Sequence, residues 1–241
     1  MDGAISKISV GDIVNETLAI VRRNLKPFAI VAVLFVLLPQ AVAAWFQLSV
    51  LRSGGDDGLW GLIMLPIGLV SLLGQAALLV GALEDQRGHR LAFGEMIAGG
   101  AGNFGRILLI SIVMGFCLAI GFVLFLVPGL ILTTMWAVAE PAYLARKAGL
   151  GAALSESAAL TKGNRWRILG LIGIYILTLI VLMIVIGVVS FIAGPTGILV
   201  GQAIAAPVQS VLGSAGLVAL YSALDRNRGG LSAAAVAKTF D

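Results

Sequence analysis

Charge is what this chain has least of. Only 12% of its 241 residues are charged, against 59% hydrophobic, and the mean hydropathy is +1.05. A soluble domain carries about 25% charged residues, so a cytosolic enzyme with a conventional wet surface is excluded. Cysteine is nearly missing as well. Cys117 stands alone inside an apolar run, which rules out an internal disulfide and a thiolate metal cluster. The single histidine, His89, sits in a charged loop beside Arg87 and Arg90 and reads as a solvated loop residue rather than a ligand. A zinc site built from one His and one Cys would need carboxylates to converge on them, and the carboxylates are scattered. No metal and no cofactor is expected. Nor is there a serine with a plausible His/Asp partner, an HExxH, a Walker sequence or a kinase signature, so an enzyme is not expected either. The first 26 residues are mixed polar and apolar, unlike a cleavable signal peptide, and the first long apolar run begins near Phe28.

What is present is a series of long apolar runs. A spanning helix needs about 20 mostly apolar residues, and six segments come close: Pro27–Val50, Leu59–Leu83, Arg106–Val127, Gly129–Ala145, Trp166–Ala193 and Gly197–Leu224. Val127-Pro128-Gly129 and Gly194-Pro195-Thr196 read as tight turns joining antiparallel neighbours. The first pair is joined by a flexible acidic loop, residues 51–58. Of the 16 Lys and Arg residues, this assignment puts Arg52 alone on one side and the other fifteen opposite. Basic residues collect on the cytoplasmic side, so both termini are expected there, in a bacterial inner membrane. The net charge of +4 and pI near 9.6 do not point to nucleic acid. The basic residues bracket apolar segments, where they anchor helix ends to anionic lipid headgroups, and form no patch interleaved with exposed aromatics.

Each expected hairpin follows a segment with a shared spacing. Glu16, Glu95 and Glu156 are each followed by an alanine three places on and by an asparagine eight places on, Asn24, Asn103 and Asn164. The chain has only five Glu and five Asn, so an internal repeat is the better reading. Apolar residues before each asparagine (Leu18 in the first copy, Met96 in the second, Leu154 in the third) suit a short amphipathic helix in the headgroup layer. The asparagines are placed to cap the helices that dive into the bilayer, and the glutamates to pair with basic side chains. The expected fold is therefore all-α: one integral membrane domain over residues 1–241. It has six transmembrane helices as three hairpins, each preceded by a cytoplasmic interfacial helix. The repeat units run about 8–83, 90–145 and 150–224, with a short cytoplasmic tail at 225–241. Gly170, Gly173, Gly201, Ala205, Gly213 and Gly216 are expected at helix contacts, and Pro39, Pro66 and Pro207 at kinks.

Candidate chemistry is sparse. Glu140 is the one acid within an apolar run, and an ionisable group in a span is a functional candidate. It stands two turns from Arg146 and Lys147, so a structural ion pair is the alternative. Gln40, Gln75, Gln202 and Gln209 are the other polar groups at depth; interhelical hydrogen bonds are their commoner use, though together they could line a polar path. Gly100-Ala-Gly102-Asn-Phe-Gly105 matches G-x-G-x-x-G literally, but no strand precedes it and a dinucleotide site is rejected. Asp56-Asp57 in a glycine loop is a weak cation signal.

From Val127 to Arg167 the chain resembles the YciC-like bacterial inner-membrane proteins and the related membrane domain fused to some glycerophosphoryl diester phosphodiesterases. The resemblance is carried by Val127-Pro128-Gly129, by Pro141 late in the next span, and by the Ser157-to-Asn164 stretch, with Ser9-Val10-Gly11-Asp12 as a similar opening. It implies a polytopic inner-membrane protein without an established activity. The phosphodiesterase barrel is absent, so hydrolase activity is not implied, and Glu140 departs from the small apolar residue expected before that proline. The function expected is a non-enzymatic structural, interaction or envelope-organising membrane component, whose partners are the bilayer with its anionic headgroups and a membrane or cytoplasmic protein. The alternative is a small transporter or lipid-handling protein using the bundle interior around Glu140.

Overall fold

Backbone in hydrocarbon must satisfy its own hydrogen bonds, which a helix does within one segment, and every regular element among the described residues is helical. The structure, a computed structural model, describes residues 8–53, 60–146, 149–193 and 195–240. In chain order the elements are α1 (Val10–Arg23), α2 (Leu25–Ala32), a π-helical turn (Val33–Leu37), α3 (Leu38–Ser53), α4 (Trp60–Gln86), α5 (Phe93–Leu124), α6 (Leu126–Met135), α7 (Ala139–Arg146), α8 (Leu150–Thr161), α9 (Arg165–Ala193) and α10 (Pro195–Phe240). Among the described residues five stretches are long and apolar enough to cross a membrane: Leu25–Val50, Gly61–Gln86, Phe93–Leu124, Arg165–Val188 and Val200–Arg228. Large apolar side chains lie exposed along them, Val123 at 86% and Leu62 at 72% among them. Apolar surface on that scale belongs against lipid. The protein is a multi-pass membrane protein.

The chain divides into two compact units. One comprises Val21–Phe104 and Ile174–Ser214; the other comprises the described parts of Met1–Ile20, Gly105–Gly173 and Ala215–Asp241.

In the first unit, α4 and the start of α5 form a close antiparallel pair, and glycine makes it possible. A Cβ on Gly100 would stand 2.8 Å from the Ala77 backbone nitrogen, one on Gly99 2.8 Å from Val80 Cγ1, and one on Gly81 2.6 Å from the Met96 methyl. The turn between them uses Gly88 at φ +87°, a conformation that favours glycine. Gly74 receives Phe35 from the π-helical turn, where a Cβ would stand 2.6 Å from Phe35 Cβ. That turn lies just before Pro39, which has no N–H to continue the regular ladder.

In the second unit, α5 turns back into α6 at Phe125, whose backbone is extended (φ −167°, ψ 154°). The turn expected at Val127-Pro128-Gly129 thus falls earlier. Pro128 lies in the first turn of α6, where its missing N–H leaves no intrahelical bond unmade. The expected fourth span, Gly129–Ala145, is not one helix but α6 and α7, separated at Trp136–Val138. The break is held by α8. The buried Ser157 hydroxyl donates to the Met135 carbonyl at 2.9 Å and accepts from the Val138 N–H at 3.3 Å, while the Thr161 hydroxyl reaches the same carbonyl at 3.3 Å. These side chains satisfy backbone groups that an unbroken helix would have paired internally. Residues in contact between α5 and the α6–α7 segment still run antiparallel: Gly121 against Gly129 and Leu132, Ser111 against Glu140, Arg106 against Tyr143.

Two expected contact glycines, Gly170 and Gly173, face open space, whereas Gly201 is tight against Ile186. Pro66 and Pro207 lie inside continuous helices. The last helix does not stop at Leu224 but runs on to Phe240.

Candidate functional site

Three of the five polar residues picked out at depth line one cavity. Gln40 comes from α3, and Gln202 and Gln209 from α10; Ile180, Met183, Ile184, Ile186 and Gly187 of α9 complete the wall with Ala205 and Ala206. The cavity holds about 690 Å³, within the roughly 300–1,000 Å³ of sites that take drug-sized ligands. Gln202 and Gln209 share a helix face because seven residues are close to two turns, about 10.5 Å. Gly201 brings α9 close beside them: a Cβ there would stand 2.5 Å from Ile186 Cγ2. Small residues at Gly187, Ala205 and Ala206 leave the space. Among the described residues none of the three amides has a hydrogen-bond partner. Gln75 and Glu140 are not part of the lining; Gln75 has a partner of its own.

Glu140 lies in the first turn of α7, where a carboxylate complements the helix dipole. The Ser111 hydroxyl donates to its Oε1 at a long 3.4 Å. Arg146, one of the two basic residues read as its possible partners, binds Glu156 Oε1 at 2.5 Å and Asp225 Oδ1 at 2.8 Å. A hydrogen bond from Arg146 to the Tyr221 hydroxyl raises the guanidinium pKa above its ordinary value; the charges of Glu156 and Asp225 add to this, and desolvation opposes it. A base with a raised pKa stabilises the fold at every pH below its unfolded value and stops doing so only as pH rises through the folded one. That window lies above the arginine range, so Arg146 stays charged in any working buffer. Nearby, Arg106 donates to the Tyr143 carbonyl at 2.9 Å and stacks 4.4 Å from that residue's ring centroid. Lys147 lies outside the described residues.

The repeat residues do not share one role. Asn24 is buried at the break between α1 and α2, but its side chain makes no cap bond; its Nδ2 donates to Asp85 Oδ1 at 2.8 Å. Asn103 marks no elbow at all. It lies within the unbroken α5, and its Nδ2 donates to the Gly99 carbonyl one turn back. Asn164 is buried at the start of α9, where its Oδ1 accepts from the Ile8 N–H at 3.4 Å, and Arg167 donates to the Ile8 carbonyl. Glu95 accepts from the Ala92 N–H at 2.7 Å, half of a capping box at the start of α5. Glu156 is the Arg146 partner, and Glu16 lies half-buried on α1. The Ser9 hydroxyl accepts from the Asp12 N–H at 3.3 Å and caps α1.

Sequence reasoning missed Asp85. Its carboxylate, 2% exposed, takes Arg23 Nε at 3.0 Å and Nη2 at 2.7 Å, besides Asn24. The available signal was position: Asp85 and Asp225 each stand within two residues of the end of an apolar run, close to a basic residue. Gly100 of the G-x-G-x-x-G string serves helix packing against Ala77. His89 is exposed, with Nδ1 3.6 Å from Glu84 Oε2. Among the described residues no three His, Cys, Asp or Glu side chains come together as metal ligands. Asp56 and Asp57 lie outside the described residues.

No family model, curated protein or solved structure matches the chain.

Proposed function

We propose that the protein is a non-enzymatic component of a bacterial inner membrane that organises the headgroup layer of the inner leaflet and offers it to a membrane or cytoplasmic protein. The carrying observation is a set of exposed cationic side chains at helix ends within each unit: Arg22, Lys26, Arg87 and Arg90 in one, Arg146 and Lys162 in the other. Exposed Trp166, at 86%, stands at the start of α9 beside Arg165 and Arg167, as interfacial aromatics do. Lysine and arginine there attract anionic lipid by about 1 kcal/mol each. Six crossings with both termini cytoplasmic remain the reading that gathers these side chains into one basic rim on one side. The antiparallel pairing of α5 with α6–α7 supports it: Tyr143 returns to the level of Arg106, and 21 residues broken once can traverse a hydrocarbon layer of about 30 Å. The resemblance to YciC-like proteins points the same way.

Among the described residues α1 is the one strongly amphipathic connecting helix. α8 instead turns Ala153 and Leu154 into a core with Ile110, Ala139 and Tyr143, so headgroup contact is assigned to α1 and the basic rim. The test is reconstitution of the wild type and of Arg22→Gln/Lys26→Gln/Lys162→Gln in vesicles of rising phosphatidylglycerol content. Wild type should gain thermal stability with anionic lipid and the triple variant should gain little. Equal behaviour of the two would overturn the proposal.

A further inference from the structure

The glutamine-lined cavity has no part in that proposal, and its chemistry is specific. It lies in the half of the bilayer away from the basic helix ends. Gln40 is roughly fifteen residues, about 22 Å, along the span that begins at Leu25; Gln202 is at the start of Val200–Arg228; and Met183 to Gly187 close the span that begins at Arg165. Met183 is 72% exposed and Ile184 60%, so one wall opens sideways toward hydrocarbon rather than toward water. A cleft open to lipid fills with lipid. An ordinary acyl chain, however, would leave three amides without partners, and an unpaired amide in an apolar medium is costly. The occupant must therefore carry donors and acceptors below the headgroup level.

Among the described residues no charged side chain lines the cavity, which disfavours a phosphate or ammonium there. No aromatic side chain lines it either, so nothing is offered for a planar ring to stack on. What remains is aliphatic wall plus amides, each with two N–H donors and a carbonyl acceptor. Gln202 lies near the membrane surface and Gln209 about 10 Å deeper. A phospholipid, held at the surface by its charge, presents ester oxygens to the first of these but brings nothing polar to the second. An uncharged glycerolipid is free to sink.

We propose that this cleft is a binding site for an uncharged glycerolipid of the diacylglycerol class. Its acyl chain runs along Met183, Ile184 and Ile186. Its ester carbonyls accept hydrogen bonds from the glutamine amides, and its free hydroxyl donates to an amide oxygen. The charged headgroup that would hold a phospholipid at the surface is the feature the cleft rejects. The site is independent of the basic rim, so either proposal can fail without the other.

The test uses the full chain in phosphatidylcholine vesicles carrying a small fraction of diazirine-labelled diacylglycerol or, in a parallel arm, diazirine-labelled phosphatidylglycerol. Crosslinks are mapped by mass spectrometry. Diacylglycerol is expected to label Met183–Gly187 and Gln202–Gln209 above all other spans. Each amide contributes about three- to tenfold, so Gln202→Leu/Gln209→Leu should cut this labelling by tenfold or more. Leucine is apolar and of similar size, and an unchanged thermal midpoint certifies the fold. Phosphatidylglycerol should label all spans evenly in both proteins. Three results would overturn the proposal: equal labelling of the cleft by both lipids, labelling indifferent to the double substitution in folded protein, or rapid modification of Gln209→Cys by a water-soluble maleimide in a Cys117→Ala background. The last would make the cavity an aqueous path.

Discussion

Asp85 shows how much a single residue can carry. Its carboxylate is buried, shared between the guanidinium of Arg23, which is one-third exposed, and the amide of Asn24. Removing one partner of a buried pair strands the other. Asp85→Ala should therefore lower stability by about 2–3 kcal/mol, below the roughly 3–5 kcal/mol of a fully buried pair because Arg23 keeps some solvent. Arg23→Met/Asp85→Leu should recover part of that loss in detergent-unfolding titrations. If the double variant is no better than Asp85→Ala, the carboxylate is not held by this pairing. Glycines separate by the same kind of argument. Gly100→Val drives a side chain into the Ala77 backbone and should cost about 1–3 kcal/mol. Gly102 meets nothing within 4 Å, so Gly102→Ala should gain about 0.5–1 kcal/mol of helix stability. Equal effects at the two positions, read by thermal unfolding, would refute the close approach of α4 and α5.

At the scale of elements, the informative feature is the break between α6 and α7. Apolar composition alone would run one helix from Leu126 to Arg146, and the sequence offers no glycine at Trp136–Val138 to argue otherwise. The interruption persists because Ser157 and Thr161 of α8 meet the freed carbonyl and N–H. Ser157→Ala leaves the Val138 N–H and part of the Met135 carbonyl unsatisfied, which should cost about 1–3 kcal/mol. Amide exchange at Val138 should speed up in that variant, while exchange in α9 stays unchanged. Uniform exchange along 126–146 in the wild type would show that the two helices are one. The Ser-x-x-Leu-Thr part of the resemblance is in this light a fastening for a broken helix. The threefold spacing of Glu, Ala and Asn is real as sequence, but its second copy passes through α5 without a turn: the Asn103 side chain bonds back to Gly99 and the helical ladder continues.

For the whole molecule the question is sidedness. Cysteines introduced one at a time in a Cys117→Ala background, at Ser9, Lys162 and Arg228, should all react with a membrane-impermeant maleimide only when the cytoplasmic face is open. Reaction of any of them from the periplasmic face would overturn the six-crossing topology and the basic rim with it. A break that turned the chain back without crossing would separate Ser9 from Lys162, which makes this pair decisive. Arg146→Gln bears on the same level of the molecule. It removes the partner of Glu156 and Asp225 in a half-exposed setting and should cost only about 1 kcal/mol, with no dependence on pH from neutral to mildly alkaline conditions.

The sequence by itself determined that this is a helical membrane protein, because an apolar run of spanning length has few other stable fates in lipid. It also marked the charged rim and the depth of Gln40, Gln202 and Gln209, which follow from linear position. It could not determine where apolar helices break or which polar side chains meet. Those depend on partners far away in the chain: Asp85 on Arg23, Met135 on Ser157, Ile8 on Asn164. Only the tertiary structure set Glu140 apart from the glutamines and gathered three of those glutamines around one space. Periodicity records which face of a helix is apolar but not which neighbour that face will meet.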